Sequence, residues 1–148
     1  MILDVHSHSK KVVCYVATWA FYRKSGSYDL FDKFNPDLCT HLIYSFAVLN
    51  DETHEIKSRD VYLDLEDNYG KGAGVIFLQS FHSRFYYESY AYLPGWYTKS
   101  TGLKHLYPHL TVLLAIGGWS EGSEKYSKMA QSQENRSKFV QSALAFMR

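Results

Sequence analysis

Net charge, long apolar runs and metal-type cysteine motifs are all scarce in this chain. Its 148 residues carry 16 Lys and Arg against 15 Asp and Glu, a formal charge of +1. Lys and Arg never run beyond two in a row, which argues against nucleic acid or an anionic membrane as the main partner. No apolar stretch approaches the length of a membrane-spanning helix. The opening MILDVHSHSKK is broken by Asp4 and lacks the uninterrupted apolar core of a secretory leader, so as written it carries no export address. Cys14 and Cys39 stand outside any CxxC or Cys/His cluster of zinc spacing, which disfavours a structural zinc. They could be two free thiols or a bridged pair.

What the chain does have is aromatic side chains. Tyr, Phe and Trp number 13, 9 and 3, or 17% of all residues. Such a surplus serves either a heavily packed core or a surface that receives flat apolar ligand faces. The length suits one domain with a substantial core.

Residues 12–18 (VVCYVAT) read as a short β-branched and aromatic strand. YDLFDKF, at 28–34, allows a turn or two of helix before Asn35-Pro36. Residues 41–49 (HLIYSFAVL) are almost continuously apolar and read as a strand covered on both faces. The polar stretch 50–72 reads as loop. Helical spacing at Leu103, Leu106 and Tyr107 marks 98–107, stopped by Pro108. A strand at 111–117 ends in Gly117-Gly118. Two helical pieces follow, 123–131 and 134–147, the second with an apolar stripe of Phe139, Val140, Ala143, Leu144 and Met147. Alternating apolar strands and helices predict an α/β fold of parallel β/α units.

The segments VVCYVATWAFYR, DLCTHLIYSFAVL, LTVLLAIGGWSEGSEKYSKMA and NRSKFVQSALAFM, in that order, resemble the family 18 glycoside hydrolases of chitinase type. The resemblance implies the first three β/α units of a (β/α)8 barrel, incomplete here, with a tail at 1–11 and the family domain over 12–148. It implies a groove for β-1,4-linked N-acetylglucosamine, built by loops at the strand C-termini. Aromatics suit that task because the C–H face of a pyranose packs on a flat ring while its hydroxyls stay hydrogen-bonded at the edges. Tyr15, Trp19, Phe46, Gly118 and Trp119 are the candidate sugar-binding residues. Tyr15 and Trp19 share parity, so a strand that persisted through both would point them to one side. Tyr15 and Phe46 also suit inward core positions, whereas Trp119 after two glycines is harder to explain as packing. The family pairs cysteines at the positions of Cys14 and Cys39, which implies a disulfide and a parent protein outside the cytosol. Ser120 departs from the Asn frequent there in the family, at the expense of a hydrogen bond to sugar.

The family's catalytic motif, D-x-x-D-x-D-x-E on a fourth strand, supplies a glutamic acid that protonates the glycosidic oxygen. Its neighbouring aspartate positions the substrate's own N-acetyl group as nucleophile. That strand is expected shortly after Phe146, and none of it falls within the 148 residues. The nearest imitation is Asp60, Asp64 and Glu66, spaced 4 and 2 rather than 3, 2 and 2, and it reads as a solvated loop. Residues 73–96 have no counterpart in the family. A translated intron or a misplaced exon boundary accounts for them better than a binding hairpin does.

Three rival readings stand beside this one. Asp4, His6 and His8 form an H-x-H pattern of the kind that metal-dependent barrel hydrolases use, but too little strand precedes it, and it reads as a tail. A non-catalytic carbohydrate-binding relative would differ only at the missing glutamate. The third is an inactive fragment, with an unpaired strand edge and exposed apolar helix faces. The expectation is therefore a chitin-binding part of an extracellular chitinase, with no cofactor, no metal, no nucleic-acid or membrane partner, and an open oligomeric state. Purified chain 1–148 is expected not to hydrolyse chitin oligosaccharides. Turnover that persists through repurification and disappears in Glu66→Gln would overturn this.

Overall fold

The computed structural model describes residues 10–27, 33–66 and 95–147. The chain divides into two compact units: residues up to Tyr44 together with Asp60–Leu113, and Ser45–Arg59 together with Leu114–Arg148. The elements in chain order are β1 (Val13–Ala17), a 3-10 turn (Thr18–Tyr22), a second one (Pro36–Leu38), β2 (His41–Leu49), β3 (Ile56–Ser58) and a π-helical turn (Tyr62–Glu66). Then come α1 (Trp96–Leu106), β4 (Thr111–Ile116), a 3-10 turn (Trp119–Glu121), α2 (Glu124–Gln131) and α3 (Gln133–Phe146). The α/β class expected from the alternation of strands and helices is the one observed.

In the first unit, β1 and β2 begin side by side. The amides of Thr40 and His41 both donate to the Val12 carbonyl, at 2.9 and 3.1 Å. The Thr40 hydroxyl closes the same corner, accepting from the Val12 amide at 2.9 Å. Cys14 and Cys39 are bridged across it, with Cα atoms 6.0 Å apart. The disulfide that the family resemblance implied is thus present. Asn35 caps the turn that leads into β2, its side chain accepting from the Asp37 amide at 3.1 Å, with Pro36 buried at the first helical position. On β2's other partner, the Thr111 amide donates to the Thr40 carbonyl at 3.0 Å. In the second unit the Gly117 amide donates to the Ala47 carbonyl at 2.9 Å. Both bonds advance in the same direction along β2 and β4, as parallel pairing requires.

Helix α1 starts earlier than its apolar spacing suggested, and the reason is steric. Gly95 adopts φ 74°, and any side chain there would run into the backbone of Asp64 and Leu65. That close approach seats Trp96, 1% exposed, with its ring edge-on to Phe21 at 5.5 Å. Removing a side chain of that size from a packed site costs about 3–5 kcal/mol. Gly95 and Trp96, the last two residues of the expected insert at 73–96, are part of the packed unit. Residues 73–94 lie outside the described residues, as do the tail through position 9 and most of the short helix read at 28–34.

The second unit contains a hairpin where loop was expected. β3 runs antiparallel to the end of β2, with Ala47, Val48 and Leu49 opposite Ser58, Lys57 and Ile56. Asn50 shapes the connection, its side chain accepting from the Glu52 amide at 2.9 Å and its backbone pairing with Glu55 and His54. Three residues are too few to show a period, so only the partner strand reveals this one. Helix α3 opens with Ser132 as N-cap, bonded to the Asn135 amide at 3.0 Å. It is tied to β3 by the Ser142 hydroxyl, which accepts from the Ile56 amide at 2.9 Å. The expected apolar stripe on α3 is only partly covered: Val140, Leu144 and Met147 are exposed.

The bridge closes a sequence separation of 25 residues. On the chain-entropy account this stabilises by roughly 3.5 kcal/mol. The Cys14→Ser/Cys39→Ser variant should lose about that much in urea titration, and the oxidised native protein should resist thiol labelling. Equal stability in both proteins would contradict it.

Candidate functional site

Strand β1 stops at Ala17, and that decides how its aromatics are displayed. Tyr15 projects from the strand and is 65% exposed between half-buried Cys14 and buried Val16. Trp19 stands in the 3-10 turn beyond, where the alternation of a strand no longer applies, so the shared parity with Tyr15 is lost. In that turn Thr18 and Ala20 are buried and Trp19 is 50% exposed. Beside Tyr15 an open cleft of about 470 Å³ is lined by the disulfide, Leu42, Arg23, Lys33 and Asn35.

The segment containing Asp60, Asp64 and Glu66 is not a solvated loop. It folds as a π-helical turn in which Leu63 and Asp64 are buried, Asp64 to 1% exposure. A buried carboxylate is costly unless it is hydrogen-bonded. Here one oxygen of Asp64 accepts from the Tyr44 hydroxyl, and the other from the Asp60 amide at 3.3 Å. The Asp60 carboxylate accepts from the Leu63 amide at 3.0 Å and from the Tyr22 hydroxyl at 2.6 Å. Burial, and then the charge of Asp64 and its hydrogen bond, hold the Tyr44 hydroxyl far above the ordinary tyrosine range. Asp60 and Asp64 are thus engaged in holding the turn together.

In the second unit, Phe46 and Gly118 are brought together. Gly118 has φ 103°, and a methyl placed on it would lie 3.0 Å from the Phe46 ring. Only glycine permits that approach. The chain then lifts Trp119 into solvent, 100% exposed, on a three-residue turn flanked by Gly122 at φ 64°. The turn is secured from below. Lys125 pairs with Glu121 and donates to the Leu49 carbonyl at 2.9 Å. The Tyr126 hydroxyl reaches Glu121 at 3.5 Å, and burial followed by that carboxylate raises its pKa. Glu121 and Lys125 are spaced as an i,i+4 pair, but the carbonyl that makes Lys125 an anchor comes from β2. Among the described residues no group of three His, Cys, Asp or Glu could hold a metal ion, and the H-x-H pattern lies outside them.

A sequence model of the glycosyl hydrolases family 18 matches residues 11–148. The chain belongs to this family. It is 42% identical over 142 residues to probable chitinase 2 of Drosophila melanogaster, covering 95% of this chain and 24% of that protein. Among solved structures, catalytic domain 2 of the Group II chitinase of Ostrinia furnacalis, as a mutant in complex with penta-N-acetylchitooctaose, superposes with a TM-score of 0.64. The identity is 38%, over 93% of this chain and 28% of that one. Human YKL-39, described as a pseudo-chitinase with retained chitooligosaccharide binding properties, superposes at 0.60 with 27% identity, over 93% of this chain and 29% of its own. The chain thus spans less than a third of the length of these family members.

Tyr44 gives this family segment a specific alkaline weakness. Below pH about 10 the tyrosine is protonated in both folded and unfolded chains, and its contribution is complete. Above that, the unfolded chain releases a proton that the folded one keeps, so stability falls as pH rises. Tyr44→Phe should cost about 1.5–3 kcal/mol at neutral pH by stranding Asp64. It should also remove up to about 1.4 kcal/mol per pH unit of the alkaline loss. Urea titrations between pH 7 and 11 measure both; an unchanged alkaline slope contradicts the assignment.

Proposed function

We propose that this chain is the sugar-binding N-terminal part of a chitinase, forming the first three β/α units of a (β/α)8 barrel. It recognises β-1,4-linked N-acetylglucosamine through exposed Trp119 with Gly118 and half-buried Phe46 in one unit, and through exposed Tyr15 and Trp19 in the other. The observation that carries this reading is Trp119. A fully exposed indole on a turn between positive-φ glycines, anchored by Lys125 and Glu121, contributes nothing to its own core. A sugar's C–H face is the ligand chemistry that such a surface fits. The Ostrinia complex, which holds penta-N-acetylchitooctaose, supports the same substrate class.

Hydrolysis in the parent protein would follow the retaining, substrate-assisted route, with its acid outside residues 1–148. Asp60 and Asp64 do not supply it, since both are held by Tyr22, Tyr44 and backbone amides. A second reading, a non-catalytic chitooligosaccharide binder, is favoured by the likeness to human YKL-39 and rests on the same aromatics. The disulfide supports an extracellular parent. A tail at 1–11 and an insert at 73–96 complete the proposed organisation of the domain.

Titration of chain 1–148 with the N-acetylglucosamine pentamer tests the reading. Trp119→Ala should weaken binding about tenfold, or about 1.4 kcal/mol. Trp19→Ala should do the same, and Trp119→Ala should leave thermal stability unchanged. Full affinity in Trp119→Ala would refute the sugar-contact role.

A further inference from the structure

The 3-10 turn that carries Trp19 is only five residues long, and such turns are weakly self-supporting. Its backbone hydrogen bonding ends weakly at the Arg23 amide, which donates to the Ala20 carbonyl at 3.4 Å. Contacts from outside hold it, and among them the Ser27 hydroxyl donates to the Phe21 carbonyl at 2.7 Å. Phe21 packs edge-on against buried Trp96 at 5.5 Å, and Tyr22 donates its hydroxyl to Asp60 at 2.6 Å. Side chains three apart eclipse on a 3-10 helix, so Trp19 and Tyr22 share one face. Fixing the end of Tyr22 therefore fixes the direction in which that face presents Trp19.

Asp60 is well suited to fix it. An exposed acid is ordinarily mobile, and an isolated surface hydrogen bond contributes little. Asp60 is not isolated. Its second oxygen accepts from the Leu63 amide at 3.0 Å, its carbonyl accepts from the Asp64 amide at 2.8 Å, and its own amide donates to Asp64 at 3.3 Å. Asp64 is in turn held by Tyr44 on β2. The carboxylate that meets Tyr22 is thus locked by four bonds of its own turn and the strand beneath.

We propose that Tyr22 and Asp60 are positioning residues that set the orientation of Trp19 for ligand binding. The inference rests on the reading of Trp19 as a sugar contact, and its test separates the two. With 5-fluorotryptophan incorporated, the three tryptophans give three ¹⁹F resonances, and Trp19→Phe identifies the first. Tyr22→Phe, which removes one oxygen from a half-exposed ring, should shift or split the Trp19 resonance and leave that of Trp119 unchanged. Asp60→Asn, which keeps an acceptor for Leu63, should do the same. An unmoved Trp19 resonance in both variants overturns the proposal whether or not sugar binds.

Binding supplies the second readout. Tyr22→Phe should weaken the pentamer's affinity about fivefold. Combined with Trp19→Ala it should add nothing further, because the two act through one contact. If Trp19→Ala weakens binding and Tyr22→Phe does not, the positioning role is wrong and the sugar contact stands. If Trp19→Ala leaves binding intact while the resonance still moves, the contact is wrong and the orienting bond stands.

Discussion

A carboxylate without water must be given hydrogen bonds by the fold, and in the first unit that requirement organises everything around it. Asp64 is buried, so Tyr44 from β2 and the Asp60 amide must meet its two oxygens. Meeting them winds residues 62–66 into a π turn, a geometry uncommon except where a side-chain demand imposes it. The turn then offers its backbone as a seat for Gly95, which lets Trp96 enter the core and begin α1. Trp96 backs Phe21, and Asp60 meets Tyr22, so the turn bearing Trp19 inherits its placement from the same buried acid. A polar contact of this kind contributes modestly to net stability. Its larger effect is on uniqueness, because an alternative packing would leave the carboxylate unmet.

The second unit solves a different problem with different means. It must present a bare indole without letting the supporting turn collapse onto the protein. Backbone freedom at Gly117, Gly118 and Gly122 makes the sharp turn feasible, and the Lys125 clasp on Glu121 and Leu49 gives it stiffness. Stiffness matters for a binding aromatic, since ordering a loose one on contact costs affinity.

Much of this was legible in the chain's patterning. The nine residues of β2 are almost continuously apolar, α3 runs where a helix was expected at 134–147, and Gly117-Gly118 closes β4 where the strand was expected to end. Those features are local, and local sequence records them. Asp64 was misjudged because acids in a polar stretch between strands are usually solvated, and only Tyr44, twenty positions earlier, makes this one buried. β3 was missed for the same reason, its identity residing in its partner. Tyr15 and Trp19 would share a side only in a strand that ran through both, and the strand ends two residues before Trp19. In each case the deciding partner lies far along the chain or the period changes in mid-segment.

The contact between Gly118 and Phe46 also constrains how the family segment can change over time. A single substitution at Gly118 meets the aromatic ring before it can offer anything new, while a smaller residue at position 46 alone leaves a void beneath the turn. Neither step is neutral by itself, and the order in which they occur decides whether a viable intermediate exists. The two positions should thus behave as one heritable character, drifting together or not at all.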